Sequence, residues 1–301
     1  MRILWFATLL VFVQPINAEE NLKITHEGEI ISSVNRAEFT IPLLGVPVLN
    51  DHTYNQFIDD LDHQLYEKPI NATINVKEEI VQEQVGYKLN RLKFNNLFYN
   101  YLFNNGSSTI EAPLEYIYPR VDSELLVSIR TKKIGQYVTY FNSSNKQRSH
   151  NISLATAAIN NHVVFPGETF SFNKVVGKRT AEKGYLPAPI IIKGELSEGI
   201  GGGICQVSST LFNAIDHAGA AIVKRYSHSK KVPYVPPGRD ATVSWYGPDF
   251  QFKNIYNQPI LIRANTYGGS VVISIYSSDV VNNTSFRFSN NPIAWIRSGS
   301  R

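Results

Sequence analysis

The segment Gly201-Gly202-Gly203-Ile204-Cys205-Gln206-Val207-Ser208-Ser209-Thr210-Leu211 decides how this chain is read. Downstream, Val207, Leu211, Ala214, Ile215 and Ala218 fall at i, i+4, i+7, i+8 and i+11, one apolar helical stripe that Gly219 ends. Cys205 therefore stands in the first turn of a helix entered through three glycines. Backbone N–H groups without a helical acceptor, and the positive end of the helix dipole, favour an anion there. They draw a thiol toward its thiolate and offer donors to an oxyanion, the two needs of a cysteine that takes up an acyl group. Glycines also let a substrate backbone come close. On this reading Cys205 is a nucleophile, and Gly201, Gly202, Gly203, Gln206 and Ser209 contact the substrate. The competing reading makes Cys205 a small buried apolar residue and the glycines a tight turn.

A catalytic thiolate is usually partnered by histidine, and the chain has seven. His217 lies twelve residues along the same helix, ~18 Å from Cys205, and is excluded. His228, in Tyr226-Ser227-His228-Ser229, follows the strand after the helix, and the chain can return it to the helix start; it is the preferred base. His150 and His162 flank another helix and are weaker candidates. In Pro236-Pro237-Gly238-Arg239-Asp240-Ala241-Thr242, Asp240 is placed to orient His228 and Arg239 to clamp a substrate carboxylate. The same two residues also read as an ordinary surface ion pair.

Around this core the patterning is α+β, with an antiparallel sheet in the C-terminal part. Tyr54, Phe57, Ile58, Leu61 and Leu65 predict an amphipathic helix capped by Thr53. A second helical stretch is predicted over 76–103, broken near Gly86, followed by a strand over 110–118 and a short helix capped by Asp122. A helix over 151–160 precedes a predicted hairpin of 163–165 with 169–172 around Pro166-Gly167-Glu168. The last hundred residues predict strands over 221–226, 241–245, 250–253, 259–265 and 270–276, the final two joined at Gly268-Gly269. The resulting division is a signal peptide over 1–18, an α+β domain over 19–130, the cysteine-bearing domain over 131–279 and a polar tail over 280–301, from which Phe286, Phe288 and Trp295 can dock.

Composition narrows the function further. At 301 residues, 43% hydrophobic and 18% charged, the chain is neither disordered nor fibrous. A net charge of +4 without clustering excludes a dedicated nucleic-acid binder. One cysteine excludes a disulfide framework, a Cys-rich zinc site and an iron–sulfur cluster, and no cofactor or metal motif is present. The apolar run from Ile3 to Val13, after Arg2 and before Pro15 and Ala18, has the order of an export signal and is too short for a bilayer of about 30 Å. The expected location is extracytoplasmic, and an uncleaved leader would anchor the chain to the membrane.

The stretch from Ile134 to Tyr276 resembles the VanW family through Asn151-Ile152, Pro166-Gly167-Glu168-Thr169-Phe170-Ser171-Phe172-Asn173, Val176-Gly177, Gly184-Tyr185, the Gly201–Leu211 segment, His228-Ser229 and Pro237-Gly238-Arg239-Asp240-Ala241-Thr242-Val243. The region from Ile24 to Pro119 is loosely similar to the peptidoglycan-binding domain that often precedes VanW domains. The resemblance implies a bacterial cell-wall protein, in some relatives tied to glycopeptide resistance and in some to noncanonical L,D-transpeptidation. Cys205 then becomes the acylated nucleophile, stem peptides and glycan the partners, and 3–3 cross-links the product. A non-catalytic wall-binding or resistance-accessory module and a hydrolase are the alternatives. The role of His228 rests on chemistry, not on the family.

Overall fold

The computed structural model describes residues 21–43, 46–104, 107–192 and 195–282. The signal-peptide residues and the aromatic residues of the tail, Phe286, Phe288 and Trp295, lie outside them. The chain divides into two compact units, one of residues up to Asn71 with Glu83–Arg120, the other of Ala72–Gln82 with Val121 onward.

In the first unit, strand Asn21–His26 pairs antiparallel with Glu29–Asn35 and parallel with Ser108–Glu111. Helix α1 (Asp51–Leu65) buries Tyr54, Ile58, Leu61 and Leu65, the predicted face. Its cap is Asn50 rather than Thr53, because the Asn50 side chain accepts the Thr53 N–H. Helix α2 occupies only Arg91–Phe103 of the predicted 76–103 stretch, capped by Asn90. The residues before it form short strands instead. Gly86–Leu89 pairs with Leu114–Ile117, and a Cβ on Gly86 would lie 2.2 Å from the Glu67 carbonyl oxygen. The predicted strand over 110–118 is likewise two strands, Ser108–Glu111 and Leu114–Ile117, separated at Pro113. Phe94, Phe98 and Tyr101 of α2 are buried, with the Phe98 ring 5.1 Å from Phe39 and 4.7 Å from Tyr54.

The second unit opens with α3 (Ser123–Ile129), which Asp122 caps as predicted. Its main sheet is antiparallel throughout, in the spatial order Lys132–Tyr140, Ser270–Ser277, Ile260–Tyr267, His162–Val164. Gly268 and Gly269, both at positive φ, turn the predicted hairpin between its two eight-residue strands. A smaller sheet sets Gln251–Lys253 between Thr169–Ser171 and Ala221–Lys224.

The predicted hairpin around Pro166-Gly167-Glu168 does not form. The turn is present, but His162–Val164 pairs with Ile260 to Ile262 while Thr169–Ser171 pairs with Gln251–Lys253, so the turn passes the chain from one sheet to the other. Helices α4 (Lys146–Ile159) and α5 (Phe172–Val176) follow in chain order before and after that turn. Helix α6 (Ile204–Ala218) packs on the main sheet, and α4 packs beside it. Val207, Leu211, Ala214, Ile215 and Ala218 are all buried, and Gly219 closes α6 in the left-handed conformation, as the stripe requires. Ala72–Gln82 joins this unit because Asn161 holds the backbone of Ile74 through both polar atoms of its side chain, at 3.0 and 3.1 Å.

Candidate functional site

Cys205 is the second residue of α6, after the cap Gly203 and Ile204. The amides on either side of it are occupied, Ile204 N–H on Gly201 O at 3.3 Å and Gln206 N–H on Gly203 O at 3.0 Å. The Cys205 amide stands in a turn where the helix offers no acceptor. The three glycines are required by the protein's own packing. Gly201 and Gly203 have φ of +88° and +108°. A Cβ on Gly202 would lie 2.6 Å from Ala188 O, and one on Gly203 2.9 Å from Ile152 Cγ1. The close approach expected of a substrate backbone is made here by the strand around Ala188 and by α4. Asn151, fully buried in α4, fixes the loop by donating to Gly202 O (3.1 Å) and Leu186 O (2.8 Å) and accepting Leu186 N–H (2.8 Å).

The predicted partners of the thiol meet at the helix start. His228 is brought there by the chain leaving strand Ala221–Lys224, and its imidazole lies close enough to the Cys205 side chain for each to shift the other's protonation. Its Nδ1 lies 2.6 Å from Asp240 Oδ2, which also accepts the His228 backbone N–H at 2.6 Å. With Nδ1 engaged by Asp240, Nε2 is the nitrogen free for proton exchange with the thiol. Only 7% and 9% of the His228 and Asp240 side chains are exposed, so the pair is shielded from solvent. Cys205 itself is half-buried, with Sγ 3.5 Å from Val243 O and 3.7 Å from Thr242 Oγ1.

Electrostatics assigns the protons. Burial disfavours the Cys205 thiolate, but the hydrogen bond and charge of His228 outweigh it, and the thiol sits below its ordinary value. Burial likewise opposes a charged His228, but bonds to Asp240 and Cys205 raise it to about 9. Asp240 is held below the ordinary carboxylate range because the bonds from His228 override its burial. The lowered thiol and the raised imidazole together favour the thiolate–imidazolium form of the pair, with Asp240 as a carboxylate beside it.

The other predicted contact residues hold this line in place. Ser209 Oγ donates to Cys205 O (2.7 Å) and accepts Ala241 N–H (2.9 Å), tying the helix start to the strand-like segment after Asp240. That segment, predicted as a strand over 241–245, is irregular because its backbone bonds go to Ser209 and to Tyr226 O instead of to a neighbouring strand. Gln206 is buried, accepting from Arg148 (2.9 Å) and donating to Thr139 Oγ1 and Tyr140 O (both 3.0 Å). Arg239 does not turn toward Cys205: Nε donates to Asn213 Oδ1 (2.6 Å) and Nη2 to Asp216 Oδ2 (2.7 Å). Asn213, buried in α6, donates in return to Arg239 O at 2.8 Å, which pins the residue next to Asp240. The remaining histidine candidates are engaged elsewhere, His150 with Gly184 O (2.9 Å) and His162 against the Phe170 ring.

Sequence reasoning passed over Arg148, Arg179 and Tyr234, whose charges and dipoles reach Cys205. None belongs to a motif readable from spacing. Burial first, then the Cys205 thiolate, push the Tyr234 phenol well above its ordinary value, so it stays neutral. Among the described residues no group of three or more His, Cys, Asp or Glu could hold a metal ion, and no helix is long and apolar enough to cross a membrane.

Comparison with known proteins places this geometry in a lineage. The family model described as VanW like protein matches residues 147–276, which include Cys205, His228 and Asp240. The chain is 62% identical over 274 residues to the protein YoaR of Bacillus subtilis (strain 168), covering 91% of this chain and 90% of that one. It is 33% identical over 109 residues to the vancomycin B-type resistance protein VanW of Enterococcus faecalis (strain ATCC 700802 / V583), covering 35% of this chain and 40% of that one. No solved structure matches. With the full-length likeness to YoaR and the family match spanning the whole site, the chain belongs to the VanW family.

Proposed function

We propose that this protein is exported to the cell wall and that Cys205 is the nucleophile of an acyl transfer on peptidoglycan, of the L,D-transpeptidase type. The observation that carries the reading is the His228–Asp240 pair, bonded at 2.6 Å and set beside Cys205 at the start of a buried helix. The wall as the place of action is supported by family membership and by the vancomycin resistance for which the Enterococcus relative is named. The first unit is assigned to wall binding.

The thiolate attacks the carbonyl carbon of the third residue of a tetrapeptide stem. The C–S bond forms and the carbonyl π electrons move to oxygen, where the Cys205 amide at the helix start is the available donor. Collapse breaks the C–N bond, and the His228 imidazolium gives its proton to the departing D-Ala amine. The thioester is then attacked by the amine of a neighbouring stem. Neutral His228 takes the proton of that amine, the C–S bond breaks, and a 3–3 cross-link and the thiolate result. Water in place of the amine would give hydrolysis, so exclusion of water from the acceptor side separates the two outcomes.

The test is to supply disaccharide-tetrapeptide to the purified protein and follow dimers and released D-Ala by mass spectrometry. Dimers that vanish in Cys205→Ala support the proposal. Trimmed monomer with D-Ala but no dimer would make the protein a hydrolase. Binding to sacculi without either product, unchanged in Cys205→Ser, would make it a non-catalytic wall module.

A further inference from the structure

Resting on the reading of Cys205 as nucleophile, we propose that Arg179, assisted by Arg148, binds the free carboxylate of the acyl donor's last residue and so restricts attack to the terminal peptide bond. The two arginines flank the loop that delivers Cys205. The Arg179 stem lies against Gly201, whose Cβ would stand 3.2 Å from Arg179 Cβ, and the Arg148 stem against Gly203, whose Cβ would stand 3.1 Å from Arg148 Cγ. Both guanidinium groups act on the Cys205 sulfur.

Two other arginines of this unit are held by carboxylates and a third by backbone carbonyls. Arg239 has Asp216, Arg263 has Glu78, and Arg225 holds the Gly238 and Asp240 carbonyls. Arg179 and Arg148 have no carboxylate partner among the described residues: Arg179 Nη1 donates to the Asn173 amide oxygen (2.8 Å) and Arg148 Nη2 to that of Gln206 (2.9 Å). Arg179 Nη2 is buried with no hydrogen-bond partner. Asp249 contributes to the field at Arg179, but its oxygens are taken by Ser171 Oγ (2.7 Å), Asn173 N–H (2.9 Å) and Gln251 Nε2 (2.8 Å). Asn173 is in turn fixed by donating to Ser244 O (2.9 Å) and Pro248 O (3.1 Å), so the guanidinium is held in one orientation.

A buried donor on a cation, fixed and unpaired, is a site for an anion, and a planar guanidinium suits a carboxylate. Geometry names which carboxylate. In a C-terminal residue it stands three bonds from the attacked carbonyl carbon, through nitrogen and Cα, and must come to rest beside Sγ. An internal peptide bond places a neutral amide there, which leaves the Arg179 charge unanswered.

The test uses Cys205 as its own reporter, since it is the one thiol of the chain. Alkylation by iodoacetate and by iodoacetamide is timed at neutral pH, and the ratio of rates is compared with that of free cysteine. A thiolate effect moves both reagents together, whereas a carboxylate site favours iodoacetate alone. We expect the ratio to exceed that of free cysteine by about tenfold, the equivalent of one charge-assisted contact, and to collapse in Arg179→Gln with an intermediate value in Arg179→Lys. Independently of any variant, N-acetyl-D-alanine should slow iodoacetamide labelling of the native protein and N-acetyl-D-alaninamide should not. A reactive Cys205 with an ordinary ratio, or equal protection by acid and amide, overturns the arginine site alone. A thiol inert to both reagents overturns the nucleophile reading and this proposal with it.

Discussion

Asp240 Oδ2 accepts two hydrogen bonds from His228, one from the backbone N–H and one from Nδ1, each 2.6 Å long. One carboxylate oxygen thus fixes both where the imidazole hangs and which of its nitrogens is free for Cys205. Asp240→Asn keeps the shape and removes the charge. His228 should then titrate well below about 9, and turnover and Cys205 alkylation at neutral pH should fall by about a hundredfold. Nuclear magnetic resonance titration of His228 and iodoacetamide kinetics read the two effects separately.

The pH profile follows from the same line. Activity should rise from acid pH as the depressed Cys205 thiol ionises and fall above about 9 as His228 loses the proton meant for the leaving amine. In His228→Ala only burial and the weak bonds from Val243 and Thr242 remain, and burial is the larger. The thiol should then titrate above its normal range, read as ultraviolet thiolate absorbance from the single cysteine.

Stability should show opposed slopes. His228 is raised from 6.5 to about 9, so its contribution is complete below 6.5 and is lost as pH climbs through about 9. Cys205 is lowered from 9.0, so its contribution is absent at acid pH and grows as pH passes its folded value toward 9. The two contributions oppose each other below pH 9, which should blunt the dependence of native Tm on pH there. Cys205→Ser removes the rising slope, and its Tm should decline between pH 6.5 and about 9.

Gly202→Ala drives a Cβ to 2.6 Å from the Ala188 backbone oxygen, a contact no side-chain rotation relieves. A loss of about 2 kcal/mol, ~4–8 °C in Tm, is expected by calorimetry. Asn213→Ala strands the Arg239 carbonyl and removes the acceptor of Arg239 Nε, for a loss of about 2 kcal/mol. Because it loosens the residue next to Asp240, it should also slow Cys205 alkylation.

What was legible in the sequence was the placement with a local signature. The stripe from Val207 to Ala218, the start after three glycines and the return of His228 with Asp240 all depend on spacing along one stretch of chain. The roles of Gln206, Ser209 and Arg239 were not legible, because polar side chains look alike in sequence whether they face a substrate or close the hydrogen bonds of a buried turn. Arg148 and Arg179 come to Cys205 from separate elements, and only the packing of Gly201 and Gly203 against their stems reveals it. The failed hairpin at Pro166-Gly167-Glu168 and the irregular run after Asp240 share one cause. Strand pairing is decided by partners 80 to 84 residues away, such as Gln251–Lys253, and by side chains such as Ser209 that take a backbone bond first.

The most direct measurement is the intact mass of the protein mixed briefly with disaccharide-tetrapeptide and quenched in acid. A gain equal to the donor less its terminal D-Ala, mapped to Cys205 and absent from Cys205→Ala, is the thioester required here. Unmodified Cys205 under conditions in which cross-linked dimers accumulate would contradict it.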